Sequence, residues 1–470
     1  MRKTKIVCTI GPASSNPTVL EQLFNAGMNV ARLNFSHGTH EGHKKVIENI
    51  RALSAKLDVH VAIIQDISGP KVRIGAFKDE QILLKADSRF TLTCRDIVGD
   101  ESQVGVNYKN LPDDVEVGDT ILLSDGNIQL KVVETTSTDI NCSVVVGGVL
   151  SSHKGINLPT ATMDVPPLTP KDREDLKFGI AQGVDYIALS FVRQASDIEI
   201  LKEIIRNEGA NIPVIAKIEK HEALVNIDDI ISIVDGIMVA RGDLGVEIPF
   251  EQVPLMQKML VRKCNAAGKP VITATQMLMS MVNNPRPTRA EVTDIANAVL
   301  DGTDALMLSE ETAMGNYPVE AVSVMSRIAV NTESSAEFIN FMRKREMPER
   351  ATIPDAISHA ASVTAQSLGS AAIITPTSSG STARMIARYR PAQQIIAISA
   401  HSATVARLSL IWGVVAVVVD ELLDTDDMTK KARDIARKMG LVKSGDTVVI
   451  TAGVPIGVEG TTNLIKVEVF

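Results

Sequence analysis

Val214-Ile-Ala-Lys217-Ile-Glu219, Gly236-Ile-Met-Val-Ala-Arg241-Gly-Asp243 and Pro270-Val-Ile-Thr273-Ala-Thr275-Gln276 are three short apolar runs that each end in chemistry. Each reads as a short buried strand with charged or hydroxyl side chains at or just beyond its C-terminal end. In a parallel β/α barrel the loops after the strands surround one pocket, so residues placed there face a common ligand. Two carboxylates, a lysine, an arginine and a threonine at such a mouth point to metal-assisted chemistry on an anionic substrate.

Strand and helix alternate on both sides of these runs. Before residue 70 the strand candidates are Lys5–Thr9, Asn29–Leu33 and His60–Gln65, with helices near Thr18–Ala26 and His40–Leu57 and Gly27 at a C-cap position. Between 70 and 167 the pattern changes to short β-type runs separated by Gly, Asp, Asn and Ser, which predicts an inserted all-β domain. Gly69-Pro70 at its entrance and Pro166-Pro167 at its exit read as hinges. From 168 the alternation resumes, with strands at Tyr186–Ser190, Val214–Lys217, Gly236–Ala240, Val271–Thr273 and Ala305–Leu308. Three strands before the insert and five after it predict an α/β chain built on a (β/α)8 barrel over 1–69 and 168–341, interrupted by the small all-β domain over 70–167. A polar stretch after 341 reads as a linker to a third unit, 342–470, an open and mostly parallel α/β sheet.

At 470 residues the chain exceeds what one core normally holds, which agrees with several domains. Its net charge of −8 argues against a general nucleic-acid or acidic-membrane surface, while leaving room for a local basic pocket. Cys8, Cys94, Cys142 and Cys264 are far apart and form no metal-type pair, so buried reduced thiols are expected. The apolar stretch of MRKTKIVCTIGP is too short for a signal peptide. The longest apolar run, Leu410 to Val419, is too short for a membrane span and reads as a buried strand. The expectation is a cytoplasmic protein.

Glu219 and Asp243 fall just past two successive strands and offer hard oxygens suited to Mg²⁺. Lys217, desolvated at the end of its strand, could fix a charge beside a transferring phosphoryl group; spacing alone serves a salt bridge to Glu219 or Asp243 equally well. Arg32, Asn34 and Ser36 alternate along one face, where the arginine offers a fork for phosphate or carboxylate or, equally, an ion pair within the barrel. Arg73 flanks the third strand. Thr288 and Glu291 read as a capping box, leaving Arg286 and Arg289 as phosphate candidates. Thr377-Ser378-Ser379-Gly380-Ser381-Thr382 links a strand to a helix and is dense in hydroxyls, a weak signal for an anion site.

The segments TKIVCTIGP, NVARLNFSHG, HKGINLP, IAKIEK, GIMVARGDLGVEIP, ITATQML and NPRPTRAEVTDIANAVLDGTDALMLSEETAMGNYPVEAV, with EGTTN near the end, together resemble the pyruvate kinase family along essentially the whole chain. That resemblance implies Mg²⁺-dependent phosphoryl transfer from phosphoenolpyruvate to ADP, with Mn²⁺ able to substitute, giving pyruvate and ATP. It implies Glu219 and Asp243 as Mg²⁺ ligands and Lys217, Arg32 and Thr275 as catalytic residues. Arg32, Gly242, Asp243 and Thr275 would hold the substrate. Asn34, Phe35, Ser36, His37, Arg73 and Lys154 match the nucleotide positions. It also implies that the inserted all-β domain is a lid over the barrel and 342–470 an effector-binding domain, with a homotetramer and a phosphorylated effector on the loop Thr377–Thr382.

Two departures from the family pattern matter. Many members read Asp-Thr-Lys-Gly-Pro-Glu after the third strand and need K⁺; here the segment is Asp66-Ile67-Ser68-Gly69-Pro70-Lys71. Asn34, Ser36, Asp66 and Ile67 stand at the monovalent-cation positions, and the ammonium of Lys71 is expected to make K⁺ dispensable. The loop from Pro455 to Thr462 lacks an arginine and carries Glu459, which favours AMP or a sugar monophosphate over a bisphosphate activator. Two other readings are a Mg²⁺-dependent aldolase of the pyruvate enolate and a catalytically silent metabolite sensor. The large insert and Lys217 speak against the first, and the intact carboxylates and lysine against the second.

Overall fold

Eight parallel strands close into a barrel in chain order: Lys5–Thr9, Val30–Asn34, Ala62–Ile67, Tyr186–Leu189, Val214–Ile218, Gly236–Ala240, Val271–Ala274 and Ala305–Leu308. The structure is a computed structural model, and it describes residues 2–338, 351–422, 424–455 and 460–470. The polar stretch expected as a linker lies largely outside the described residues, as do 456–459 of the loop carrying Glu459. Most barrel strands are buried at every position, because helices cover the outside and side chains fill the inside; this is why they read as unbroken apolar runs. Val7, Val30, Ile64, Ala188, Ile215, Met238, Ile272 and Met307 belong to one buried cluster that Leu410 joins from the C-terminal unit.

The helices obey their sequence signals. Asn16 caps Pro17–Ala26 through Thr18, and Gly27 ends it at φ 110°, a conformation that needs glycine. Thr288 and Glu291 exchange both capping-box bonds at the start of Arg289–Asp301. The third barrel strand runs two residues further than expected, through Ile67, so Asp66 is held inside a strand rather than in the loop after it.

The segment between the third and fourth barrel strands forms a six-stranded sheet and a two-stranded one, with a core of its own around Phe90, Leu92, Val104, Ile121 and Leu130. The chain leaves the barrel at Gly69, where φ is +64° and an added Cβ would lie 2.9 Å from the Ser190 carbonyl oxygen. The C-terminal sheet has four parallel strands and one antiparallel edge strand, in the order Val414–Val418, Gln394–Ser399, Ala372–Pro376, Thr447–Gly453, Thr462–Val469. The apolar run Leu410 to Val419 is only half strand: Leu410, Ile411 and Trp412 are buried in the turn before it. All four cysteines are free and buried.

The two added units sit at opposite ends of the barrel. The C-terminal unit meets the ends where strands begin: Lys5 Nζ donates to the Val414 carbonyl, Tyr186 Oη to that of Arg407, and Ser409 Oγ to that of His60. The lid meets the ends where strands finish. Asn157 Nδ2 donates to Glu247 there, and Arg193 donates to the carbonyls of Met163 and Val165.

Candidate active site

At the finishing end of the barrel, charged side chains form one buried chain of alternating sign. Arg32 Nε meets Asp66 Oδ2 at 2.6 Å, Asp66 Oδ1 lies 3.3 Å from Lys217 Nζ, and Lys217 Nζ lies 2.9 Å from Glu219 Oε1. The four come from three strands, Val30–Asn34, Ala62–Ile67 and Val214–Ile218, the last supplying Lys217 and, one residue past its end, Glu219, so the barrel itself fixes the spacing. Lys217 donates to Ser190 Oγ at 2.7 Å, and the Phe191 amide donates to Glu219 Oε2 at 2.8 Å. Arg32 Nη1 donates to Thr9 Oγ1, leaving Nη2 with no protein acceptor among the described residues.

Electrostatics favour the charged forms of Asp66 and Lys217 despite burial. Burial would raise Asp66, but Arg32 and Lys217 outweigh it and hold the carboxyl below its ordinary range. Burial would lower Lys217, yet Asp66 and Glu219 hold the ammonium above its ordinary value. Glu219 is pushed up, first by burial and then by the nearby Asp243 charge, against the pull of Lys217. Asp243 itself makes no hydrogen bond or ion pair to a described residue. A partly exposed carboxylate without donors beside a buried one whose proton affinity is raised suits a hard divalent cation, which would relieve the repulsion.

The helix Arg241–Glu247 starts directly at the end of its strand, so Gly242 and Asp243 lie in its first turn. The Gly242 amide donates to Thr275 Oγ1 at 2.8 Å, and that hydroxyl donates to the Ala274 carbonyl at 2.6 Å. Thr275 and Gln276 hold φ values of +68° and +57°, and Phe191 +55°, conformations that cost non-glycine residues free energy and cluster at functional sites. Arg241, expected in the pocket, instead brackets the site from behind. Its guanidinium donates to Asp294 Oδ1 and to the carbonyls of Ala274 and Thr275, so it fixes the Thr275 turn.

The loop Asn34–His37 lies beside this chain. Asn34 Oδ1 accepts from the Ser36 amide, Ser36 Oγ lies 2.9 Å from Ser68 Oγ, and His37 is exposed. The Phe35 ring is buried, stacked on His43 at 4.1 Å; its amide donates to the Asp66 carbonyl and its carbonyl accepts from Lys171 Nζ at 2.8 Å, so its backbone ties the loop to the barrel. From the lid, Arg73 pairs with Gly155, and Arg73 Nη1 reaches the His153 carbonyl next to Lys154. Lys71 Nζ lies 6.0 Å from the Phe191 ring centroid. Arg286 is exposed on the loop before the helix, and Arg289 is exposed as its first residue. The six effector candidates are far away, against the C-terminal sheet. Thr377 Oγ1 accepts from the Gly380 amide and Thr382 Oγ1 meets Thr462, while Ser378, Ser379 and Ser381 line a cavity of about 710 Å³ with His401, Asp420 and Glu421.

Residues 1–322 match the family model described as pyruvate kinase, barrel domain, and residues 355–468 match pyruvate kinase, alpha/beta domain. The chain belongs to the pyruvate kinase family. It is 51% identical to the pyruvate kinase of Geobacillus stearothermophilus over 471 aligned residues, covering all of this chain and 80% of that one. A Staphylococcus aureus pyruvate kinase is 48% identical with the same coverage. A solved pyruvate kinase of Cryptosporidium parvum superposes with a TM-score of 0.93 at 39% identity, covering all of this chain and 96% of the other. Membership makes the protein an enzyme, a phosphotransferase. Among the described residues no helix is long and apolar enough to cross a membrane.

Sequence reading missed Ser190, the Phe191 amide and Thr9. Each could have been found by the rule that found Lys217, since Ser190 and Thr9 also stand where a barrel strand finishes. What hid them was the ordinariness of a hydroxyl beside an apolar run.

Proposed function

We propose that this chain transfers the phosphoryl group of phosphoenolpyruvate to ADP and releases pyruvate and ATP, with Mg²⁺, or Mn²⁺ in its place, held by Glu219 and Asp243. The observation that carries this reading is the buried series Arg32–Asp66–Lys217–Glu219, which places two fixed cations beside a carboxylate pair at the barrel mouth. Phosphoryl transfer needs positioned charge more than covalent chemistry, and fixed charges in a dry site act without reorganising. The divalent cation, when bound, neutralises charge on the substrate and reacting oxygens. Lys217 stabilises the phosphoryl group in flight, and the open Nη2 of Arg32 takes one of its oxygens. Gly242, Asp243 and Thr275 orient the three-carbon substrate, with the Thr275 hydroxyl near the carbon that gains a proton. Asn34, Phe35, Ser36, His37, Arg73 and Lys154 form the nucleotide site, Phe35 by fixing the loop from behind, and the lid excludes water that would hydrolyse the phosphate.

Three further parts belong to the same proposal. Lys71 supplies an internal ammonium beside Phe191, making K⁺ dispensable although Asn34, Ser36, Asp66 and Ile67 occupy the monovalent-cation positions. The loop Thr377–Thr382 takes a phosphorylated effector carrying a single phosphate, AMP or a sugar monophosphate, because Asp420 and Glu421 face the same cavity and repel a second one. The enzyme works in the cytoplasm as a homotetramer.

The deciding measurement is pyruvate formation from phosphoenolpyruvate, ADP and Mg²⁺ in K⁺-free buffer, then with KCl. Turnover in both is expected, with Lys71→Glu creating a K⁺ requirement. Lys217→Met is expected to lower kcat by about 10²–10³-fold or more. Silence of the wild type in both buffers, with effectors present, would overturn the reaction; activity only with KCl would overturn the role of Lys71.

A further inference from the structure

Glu247 closes the helix whose first turn carries Gly242 and Asp243, and its side chain is completely buried. One of its oxygens, Oε1, receives donors from two different parts of the molecule. Lys220 Nζ approaches to 2.8 Å from the barrel loop, one residue after Glu219, and is itself only 5% exposed. Asn157 Nδ2 approaches to 2.7 Å from the lid. The other oxygen, Oε2, faces His221 Nδ1 at 3.5 Å. Asn157 lies in the short strand Ile156–Asn157, paired with Leu122 and Leu123 of the lid sheet. Just before it stand Lys154 and Gly155, and Gly155 pairs with Arg73.

One carboxylate oxygen therefore joins the loop of Glu219, the helix of Asp243 and the lid edge that bears Arg73 and Lys154. A buried ion pair adds little net stability over apolar packing, so its presence here calls for a reason other than holding the fold. An amide donating to a buried carboxylate is directional, and it leaves the lid hinged rather than cemented.

We propose that Glu247 is a positioning residue for phosphoryl transfer, setting the register of the lid's nucleotide-facing edge against the Glu219–Asp243 pair. This rests on the reaction proposed above. Glu247 touches no reacting atom; it acts through Lys220 on the Glu219 loop, through its own helix on Asp243, and through Asn157 on Arg73 and Lys154.

Asn157→Ala removes only the lid arm. It should raise KM for ADP by about fivefold, the worth of one buried hydrogen bond, with kcat and KM for phosphoenolpyruvate within about twofold. Glu247→Gln keeps an oxygen for Asn157 but cancels the charge opposite Lys220, so it should instead weaken Mn²⁺ binding to the nucleotide-free enzyme, read by electron paramagnetic resonance. Hydrogen exchange supplies a readout independent of turnover. In Asn157→Ala the Ile156 amide should exchange faster, while Arg89–Thr93 in the lid core stays unchanged. An unchanged ADP KM together with unchanged exchange in Asn157→Ala overturns the proposal. So does a loss spread evenly over kcat, both KM values and thermal midpoint, which would make the contact merely structural. Should Glu247→Gln fail to fold, Asn157→Ala decides alone. A wild type inactive on phosphoenolpyruvate and ADP sinks the reaction instead, and the exchange result then decides whether Glu247 sets the lid register.

Discussion

The two seams of the barrel are built from different materials. At the starting ends of the strands the C-terminal unit is fastened by buried charge: Arg390, 1% exposed in its side chain, donates to Asp304 at 2.7 Å, to Asn265 and to the Gly302 carbonyl, with its guanidinium 4.9 Å from the centre of the Trp412 ring. Lys3 and Lys5 reach across the same seam to the carbonyls of Pro391, Ala392 and Val414. At the finishing ends the lid is held through the side chains of Asn157 and Arg193, beside two crossings of the main chain. A buried, multiply bonded guanidinium has one arrangement and is costly to break, while a single amide contact can open and reform. The C-terminal seam is charged and sealed; the lid seam is sparse and mostly uncharged on the lid's side.

Breaking the sealed seam should have the largest effect. Arg390→Met strands the buried Asp304 carboxylate and should cost about 3–5 kcal/mol in urea unfolding. A cost no larger than that of a surface substitution would erase the contrast. The next effect is a pH dependence confined to this seam. Burial, reinforced by Arg2, brings Lys5 from 10.5 down to about 7. Below about pH 7 both folded and unfolded chains hold the proton, and the folded state bears the whole cost of the buried charge. Between about 7 and 10.5 only the unfolded chain holds it, so stability rises with pH. Relative to wild type, Lys5→Met should therefore gain most at about pH 6 and least at about pH 10, by an amount on the order of a few kcal/mol. A difference that does not vary with pH would show that Lys5 titrates normally. Arg193→Met should have the smallest effect. Losing its bonds to Met163 and Val165 should loosen the lid by about 1–3 kcal/mol, seen as faster proteolysis there, with the barrel's melting unchanged. A global loss instead would place the lid seam with the sealed one.

How much of this was legible in the sequence follows from how each part is built. The barrel could be counted because buried parallel strands must be continuously apolar, and the lid stood out because short β-type runs broken by turn residues replace the alternation of strand and helix. Lys217, Glu219, Asp243 and Thr275 were findable because chemistry at a strand end interrupts that pattern. Asp66 sat one residue beyond the expected end of its strand and was assigned to a loop. Its pairing with Arg32 and Lys217 depends on strand register around the barrel, which the linear order does not display. Arg241 shows the converse: a charge in the right place in the sequence, turned away by Asp294 and the carbonyls behind Thr275. The two seams were the least legible, since the contacts by which Arg390, Lys5 and Glu247 join one unit to another pair residues far apart in the chain.

The four buried cysteines give this chain an experimental convenience. Burial raises the pKa of Cys8, Cys94, Cys142 and Cys264, which keeps them as unreactive thiols at neutral pH. Thiol-directed dyes should therefore pass over the native protein. A cysteine introduced at exposed Val117 on the lid and another at exposed Phe250 on the barrel would be the reactive pair. A fluorescent donor and acceptor on those two sites would turn the lid's angle into a colour ratio, read in solution one molecule at a time.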